Sequence, residues 1–184
     1  MTSPEKTAPG RLELVQRFVN TADLDRGGEE LSSPSALVSW LADAGLAERG
    51  TRATEQELSR ALEVREGLRA VLDTHNGGEA DGDAVAALER AAGHASLRAT
   101  FGGDQPRLAP VCGGVDAALA ELLATVTTAA ADGSWQRLKA CADDGCRWAF
   151  YDTSRNRSGR WCSMAVCGNQ QKARAYRERA KADA

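Results

Sequence analysis

Four cysteines have the type and spacing to hold a metal: Cys141 and Cys146, then Cys162 and Cys167. Each pair is spaced C-x4-C, and fifteen residues, Arg147 to Trp161, separate the pairs. Two knuckles delivering four thiolates, joined by a connector long enough for a hairpin, suit the tetrahedral shell of one structural Zn²⁺. Two other readings compete. Paired disulfides need an oxidising compartment, and the polar, Pro-containing stretch Met1 to Gly10 does not read as an export signal. Buried thiols used as core filler would not come in matched pairs beside Asp143, Asp144 and Arg147. A fully thiolate shell leaves no open position for water, and neither His75 nor His94 is near it in sequence, so catalysis at the metal is not expected. Oxidation of the thiolates with loss of metal is the redox alternative. The fifth cysteine, Cys112, is isolated beside Gly113 and Gly114, with no base nearby to activate it.

These ligands need short elements to present them. Arg147 to Tyr151 is aromatic and strand-like, and Asp152 to Gly159 is a polar turn. From about Ala165 or Gly168 the chain reads as helix to Lys181. On that helix Ala173, Tyr176 and Ala180 share a narrow face suited to packing, with Arg174, Arg177 and Lys181 on an adjacent face. A knuckle, a hairpin and a helix sharing one zinc make a treble-clef or zinc-ribbon-like finger. Trp148 and Trp161, which flank ligands, read as core around the metal.

The preceding residues read as a helical body. Leu12, Val15, Phe18 and Val19 keep a helical stripe that Asn20-Thr21-Ala22-Asp23 ends. Asn20 and Thr21 are open to two readings, part of a ligand pocket or a side-chain cap on a chain reversal. Ser33 before Pro34 is an N-cap with proline at the first helical position, and Gly45 supplies the stop. Thr54 to Glu57 forms a capping box that starts a longer helix through Leu58, Ala61, Leu62, Leu68 and Leu72. His75 reads as a cation at that helix's C-terminus. A shorter helix is expected from about Asp83 to Ala92. Leu97, Ala99 and Phe101 alternate as a strand, Gly102-Gly103-Asp104 turns, and Arg107 to Val111 returns. Val115 to Ala131 is an amphipathic helix, and Asp132-Gly133-Ser134 is the natural domain boundary. The expected domains are therefore a disordered leader at 1–10, a helical domain at 11–133 and the finger at 135–184. The fold class is mainly α with a small β-hairpin.

Charge is unevenly divided. Residues 135–184 hold 11 Lys and Arg against 5 Asp and Glu, a balance of +6, while residues 1–134 hold 12 against 21, a balance of −9. A basic metal module on an acidic body points to nucleic acid as the finger's partner. Arg155, Arg157 and Arg160 on the hairpin loop, with Lys172, Arg174 and Arg177 on the helix, are the candidate phosphate contacts. The Asn169 and Gln170 amides could read base edges. The bland alternative is a solvated basic face, or one docked against the acidic body. No Gly-rich phosphate loop, Ser/His/Asp set or convincing pair of acids occurs, so no active site is expected. No uninterrupted apolar run approaches a membrane span, and a cytosolic location is expected.

The finger residues Leu138 to Cys141, Cys146 to Asp152 and Trp161 to Asn169 resemble the CGNR-type zinc finger. Family members usually carry an N-terminal helical ABATE domain, regarded as belonging to proposed stress-induced transcription regulators. Phe18 to Thr21, Trp40 to Leu46 and Val64 to Leu68 are similar to that domain, so the likeness runs from about residue 11 to 181. It implies a zinc-dependent transcription regulator that binds DNA, with an N-terminal domain that senses a small-molecule signal. One position departs: the name-giving tetrapeptide ends in arginine, and here it ends in Gln170. A protein-interaction module, or an enzyme whose pocket lies in the helical domain, are the alternatives in which the zinc is only a scaffold.

Overall fold

A computed structural model describes residues 6–102 and 106–182. The helical body is built on α1 (Leu12–Val19), α2 (Pro34–Asp43), α3 (Glu55–Thr74), α4 (Gly82–Ala92) and α5 (Gly114–Asp132). Two small antiparallel hairpins interrupt it: β1 (Ala22–Asp23) with β2 (Gly28–Glu29), and β3 (Leu97–Thr100) with β4 (Arg107–Pro110). The finger contributes β5 (Leu138–Ala140) and β6 (Ala149–Tyr151), then a π-turn over Met164–Gly168 and α6 (Asn169–Ala182).

Local chemistry places the helix ends. Ser33 Oγ accepts from Ala36 N at 3.1 Å with Pro34 at the first turn of α2. Thr54 and Glu57 form the reciprocal capping box of α3. Gly133, at φ 78°, closes α5 in the left-handed conformation that a side chain would strain. In the middle of α3, Gly67 admits α4: a Cβ there would lie 2.4 Å from Leu88 Cβ. The turn expected at Gly102-Gly103-Asp104 lies partly outside the described residues.

The core is continuous from the body into the finger. Val15, Phe18, Leu68, Leu72, Leu119 and Leu122 belong to one buried cluster with Trp135, Leu138, Ala140 and Ala149. By length and composition α5 could cross a membrane, yet Val115, Ala118, Leu119 and Leu122 along it are buried in this core. Within residues 6–10, expected as part of a disordered leader, Ala8 is buried and donates its N–H to Gln16 Oε1 at 2.7 Å, while Thr7, Pro9 and Gly10 are exposed. Residues 1–5 lie outside the described residues.

Polar side chains of the body complete this union by satisfying the finger's hairpin backbone. Asn20 clamps Ala149, with its Nδ2 donating to the carbonyl at 2.9 Å and its Oδ1 accepting from the N–H at 2.7 Å. Gln16 Nε2 donates to the same carbonyl at 3.1 Å. On the β5 side, His75 Nδ1 lies 2.8 Å from the Leu138 carbonyl, and its ring meets Trp135 edge-on at 5.2 Å. A carbonyl only accepts, so Nδ1 carries the hydrogen. Asn76 Nδ2 donates to the carbonyls of Ala140 and Arg160. His75 is thus not the solvated helix cation that its sequence position implied. Burial pushes its pKa down, against the Leu138 bond, and the nearby Lys139 charge acts in the same downward direction.

Two predictions follow from this docking. Asn20→Ala orphans the buried Ala149 N–H, because Gln16 still serves the carbonyl, and should cost about 1–3 kcal/mol in urea unfolding. The second concerns pH. His75 is held neutral when folded and regains its ordinary pKa of about 6.5 when unfolded, so the unfolded chain binds the extra proton. Its contribution is fully present above that value and is lost as pH falls through the lowered folded pKa. Melting temperature should therefore fall with pH more steeply in the wild type than in His75→Gln, measured between pH 7.5 and 6 with zinc content followed in parallel.

Candidate metal centre and basic helix

The first knuckle is shaped by Asp143, which is buried. Its carbonyl accepts from Cys146 N at 2.8 Å and Arg147 N at 3.0 Å, and its Oδ1 accepts from Gly145 N at 3.2 Å. The tight reversal places Arg147 at φ 46°. Cys141 N donates to the Trp148 carbonyl at 2.9 Å, which brings the two ends of the knuckle together. In the second knuckle, Ser163 caps the π-turn through its Oγ to Val166 N at 3.3 Å. Its carbonyl accepts from Gly168 N at 3.1 Å. At Gly168 a Cβ would meet Met164 Sδ at 2.5 Å and Trp161 Cδ1 at 3.1 Å, so the half-exposed Met164 side chain would have to move aside for any larger residue.

These turns converge the four expected ligands. The sulfurs of Cys141, Cys146, Cys162 and Cys167 all lie within 4.8 Å of one another. Cys162 Sγ is 3.6 Å from both Cys146 Sγ and Cys167 Sγ. A disulfide would need about 2.05 Å. Tetrahedral Zn–S bonds of about 2.3 Å imply S···S edges near 3.8 Å. The set therefore fits one structural Zn²⁺. The ionisation pattern of the bare sulfurs agrees. Thiol hydrogen bonds from Cys146 and Cys162, then backbone N–H groups of Cys162 and Asp143, pull Cys141 down to about 2. The Cys141 thiolate in turn pushes Cys146 up to about 12 and Cys162 far above the usual thiol range. Left to themselves, the sulfurs cannot all ionise together; a dication among them allows it.

Behind the metal centre, the loop between β6 and the second knuckle is organised by a buried ion pair. Lys139 Nζ donates to Asp152 Oδ2 at 2.8 Å, to the Arg157 carbonyl at 2.6 Å and to the Gly159 carbonyl at 3.1 Å. Asp152 also accepts from the N–H groups of Ser154 and Gly159. Burial raises the Asp152 pKa, but the Lys139 and Ser154 hydrogen bonds outweigh it and hold the group at about 2. Arg137 completes the arrangement by donating to the carbonyls of Asp152 and Ser154. Sequence reasoning missed Arg137, Lys139, Asp152, His75 and Asn76. Their roles depend on which backbone groups the folded chain brings to them.

The loop's own arginines face outward. Arg155, Arg157 and Arg160 are exposed, Arg157 at φ 52° and Arg160 with its guanidinium 5.8 Å from the centre of the Trp161 ring. On α6, Asn169, Gln170, Lys172, Arg174 and Arg177 are likewise exposed. Arg174 reaches back to Asp143 Oδ1 at 3.4 Å while its side chain stays 50% accessible. The stripe expected to pack is bare: Ala173 and Ala180 are exposed, and Tyr176 is 70% exposed. The reason is tertiary, since α6 leaves the π-turn away from the body that would have covered it. Lys181 lies where side chains are outside the described residues.

Asn20 and Thr21 both form hydrogen bonds within the protein. Thr21 Oγ1 donates to the Phe18 carbonyl and accepts from Arg65 Nη1 at 3.1 Å, inside a network where Arg65 forks Glu29 with two bonds of 2.7 Å. Both ends of the Asn20 amide are engaged by Ala149, although the residue does line a cleft of about 350 Å³ with Trp40 and Trp148. Thr21 does not line that cleft.

Comparison with known families agrees with the centre just described. The CGNR zinc finger family matches residues 137–180, and ABATE, described as "Putative stress-induced transcription regulator", matches residues 12–133. The chain belongs to the ABATE family. No curated protein matches. In this ABATE protein the tetrapeptide that names the finger is Cys167-Gly168-Asn169-Gln170: a ligand, a buried glycine and two exposed amides that open α6.

Purified protein should contain one zinc per chain by elemental analysis. Cys162→Ser should lose tight binding, while Cys112→Ser should keep full content. Because Trp135, Leu138, Ala140 and Ala149 share the main core, chelation should also lower the melting temperature of the helical body rather than unfold the finger alone. Unchanged melting of the body after verified zinc removal would contradict the shared core.

Proposed function

We propose that this ABATE protein is a zinc-dependent DNA-binding transcription regulator, with α6 and the 152–160 loop as its DNA-contacting elements. The observation that carries the reading is exposure. The candidate cations Arg155, Arg157, Arg160, Lys172, Arg174 and Arg177 all face solvent, and among the described residues the acidic body supplies no ion pair to any of them. The one pairing, Arg174 to Asp143, is within the finger. A basic surface left uncovered by its own acidic neighbour is available for phosphate contacts, which make affinity fall steeply with salt. Asn169 and Gln170 sit exposed in the first turn of α6, where amides can reach base edges.

We further propose that the helical body carries the signal-sensing role. The cleft between Trp40 and Trp148 supports it, because Trp40 belongs to α2 and Trp148 to the finger. A small molecule bound there touches both parts. A second reading, a protein-interaction module, has the bare Ala173, Tyr176 and Ala180 stripe in its favour.

A salt titration of duplex binding separates the readings. Arg155→Ala with Arg177→Ala leaves the Asp143 pairing intact and should weaken binding to all duplex sequences. The log-log salt slope should flatten by roughly 1.8, about 0.9 for each lost phosphate contact. Gln170→Arg should steepen it by about 0.9, or instead add sequence preference if the new guanidinium reads guanine. No duplex binding at low salt by zinc-loaded wild type defeats the regulator reading and leaves the interaction module.

A further inference from the structure

A second cleft, of about 470 Å³, runs between the β1–β2 hairpin and the second knuckle. Its finger wall is apolar, formed by Met164, Ala165 and Val166 and continued by Trp148. Met164 and Val166 are 51% and 49% exposed, unusual for such side chains beside a metal centre. Its floor is made by three of the four ligands, Cys146, Cys162 and Cys167. Cys141 is absent from that floor and is fully buried, with two backbone N–H groups on its sulfur. The ligand shell therefore has an open side and a closed side. The open side is reached between this apolar wall and a charged one formed by Lys6, Asp23, Asp25 and Arg26.

We propose that this cleft is a modification site at which Cys162 is alkylated by small, neutral, apolar electrophiles of the α,β-unsaturated carbonyl class. A thiolate held by a metal stays ionised at neutral pH, and the thiolate is the nucleophilic form of cysteine. Cys146 and Cys162 are both half-buried, and of the two only Cys162 runs directly into Ser163–Val166, the residues that build the wall. The Cys162 sulfur donates its lone pair to the β-carbon of the unsaturated carbonyl, forming the C–S bond. The C=C π pair moves toward the carbonyl as an enolate, which takes a proton from water at the α-carbon. The product is a neutral thioether in place of a thiolate, and no oxidant or reductant is involved. The shell loses one of its four negative charges and a strong ligand, so metal affinity falls. Cys162 and Cys167 bracket the turn that launches α6, so this loss frees the start of the basic helix. Anionic electrophiles are disfavoured, because four thiolates around a dication leave two net negative charges at the floor, and Lys6 and Arg26 on the opposite wall are balanced by Asp23 and Asp25.

The modification rests on the zinc shell and the cleft, not on the DNA reading, and its test uses no nucleic acid. Zinc-loaded full-length protein is treated with limiting N-ethylmaleimide, and separately with a maleimide bearing a sulfonate. Adducts are mapped by peptide mass and zinc release is followed with a chromogenic chelator; Cys112 serves as the internal reference thiol. N-ethylmaleimide should label Cys162 before Cys112, with one zinc released per Cys162 adduct. The sulfonated reagent should reverse that order. Val166→Thr, at full zinc content, makes the wall polar at constant volume and should slow Cys162 labelling several-fold while leaving Cys112 unchanged. A first adduct at Cys141, Cys146 or Cys112 with the neutral reagent overturns the proposal, as does the same order with both reagents.

Discussion

Four sulfurs within 4.8 Å of one another cannot all carry negative charge unless a dication sits among them. That constraint shapes the whole C-terminal third of the protein. It accounts for the two tight knuckles and for the buried Asp143 whose carbonyl and carboxylate close the first. It also explains why so short a hairpin persists. β5 and β6 have three residues each, too few to be stable alone, and they are clamped by the metal on one side and the helical body on the other.

The clamp from the body is polar and directional. Asn20 and Gln16 from α1, and His75 and Asn76 from the end of α3, supply hydrogen bonds that β5 and β6 would otherwise lack at their edges. Edge strands usually stay exposed or pair with another strand; here side-chain amides and an imidazole take that place. Hydrophobic burial sets how firmly the two parts adhere, and these bonds set the register. The finger is consequently a continuation of the helical core, so events at the metal and events in the helical clefts act on the same packed unit.

Electrostatics divides the molecule in the opposite sense. The buried Lys139 and Asp152 pair with each other, and the buried Arg65 pairs with the more exposed Glu29; both pairs serve the fold. Burial of a charge is tolerated only with such partners. Arg155, Arg157 and Arg160 on the loop and Arg177 on α6 form no ion pair among the described residues and lie in solvent, and Arg174, paired with Asp143, stays half accessible. The basic surface is what remains of the finger's charge after its structural needs are met.

Much of this was legible in the residues themselves. The zinc ligands, the capping box at Thr54, the N-cap at Ser33 and the 97–110 hairpin depend on near neighbours in sequence, where spacing determines geometry. The positions of His75, Lys139, Asn20 and the α6 stripe do not. A histidine at a helix end is a cation or a buried hydrogen-bond donor according to what lies over it, and Leu138 lies 63 residues away. Ala173, Tyr176 and Ala180 have a packing pattern, but periodicity names a face without naming its cover. Only the tertiary structure decides whether a surface meets another, because burial belongs to pairs of elements and sequence pattern belongs to one.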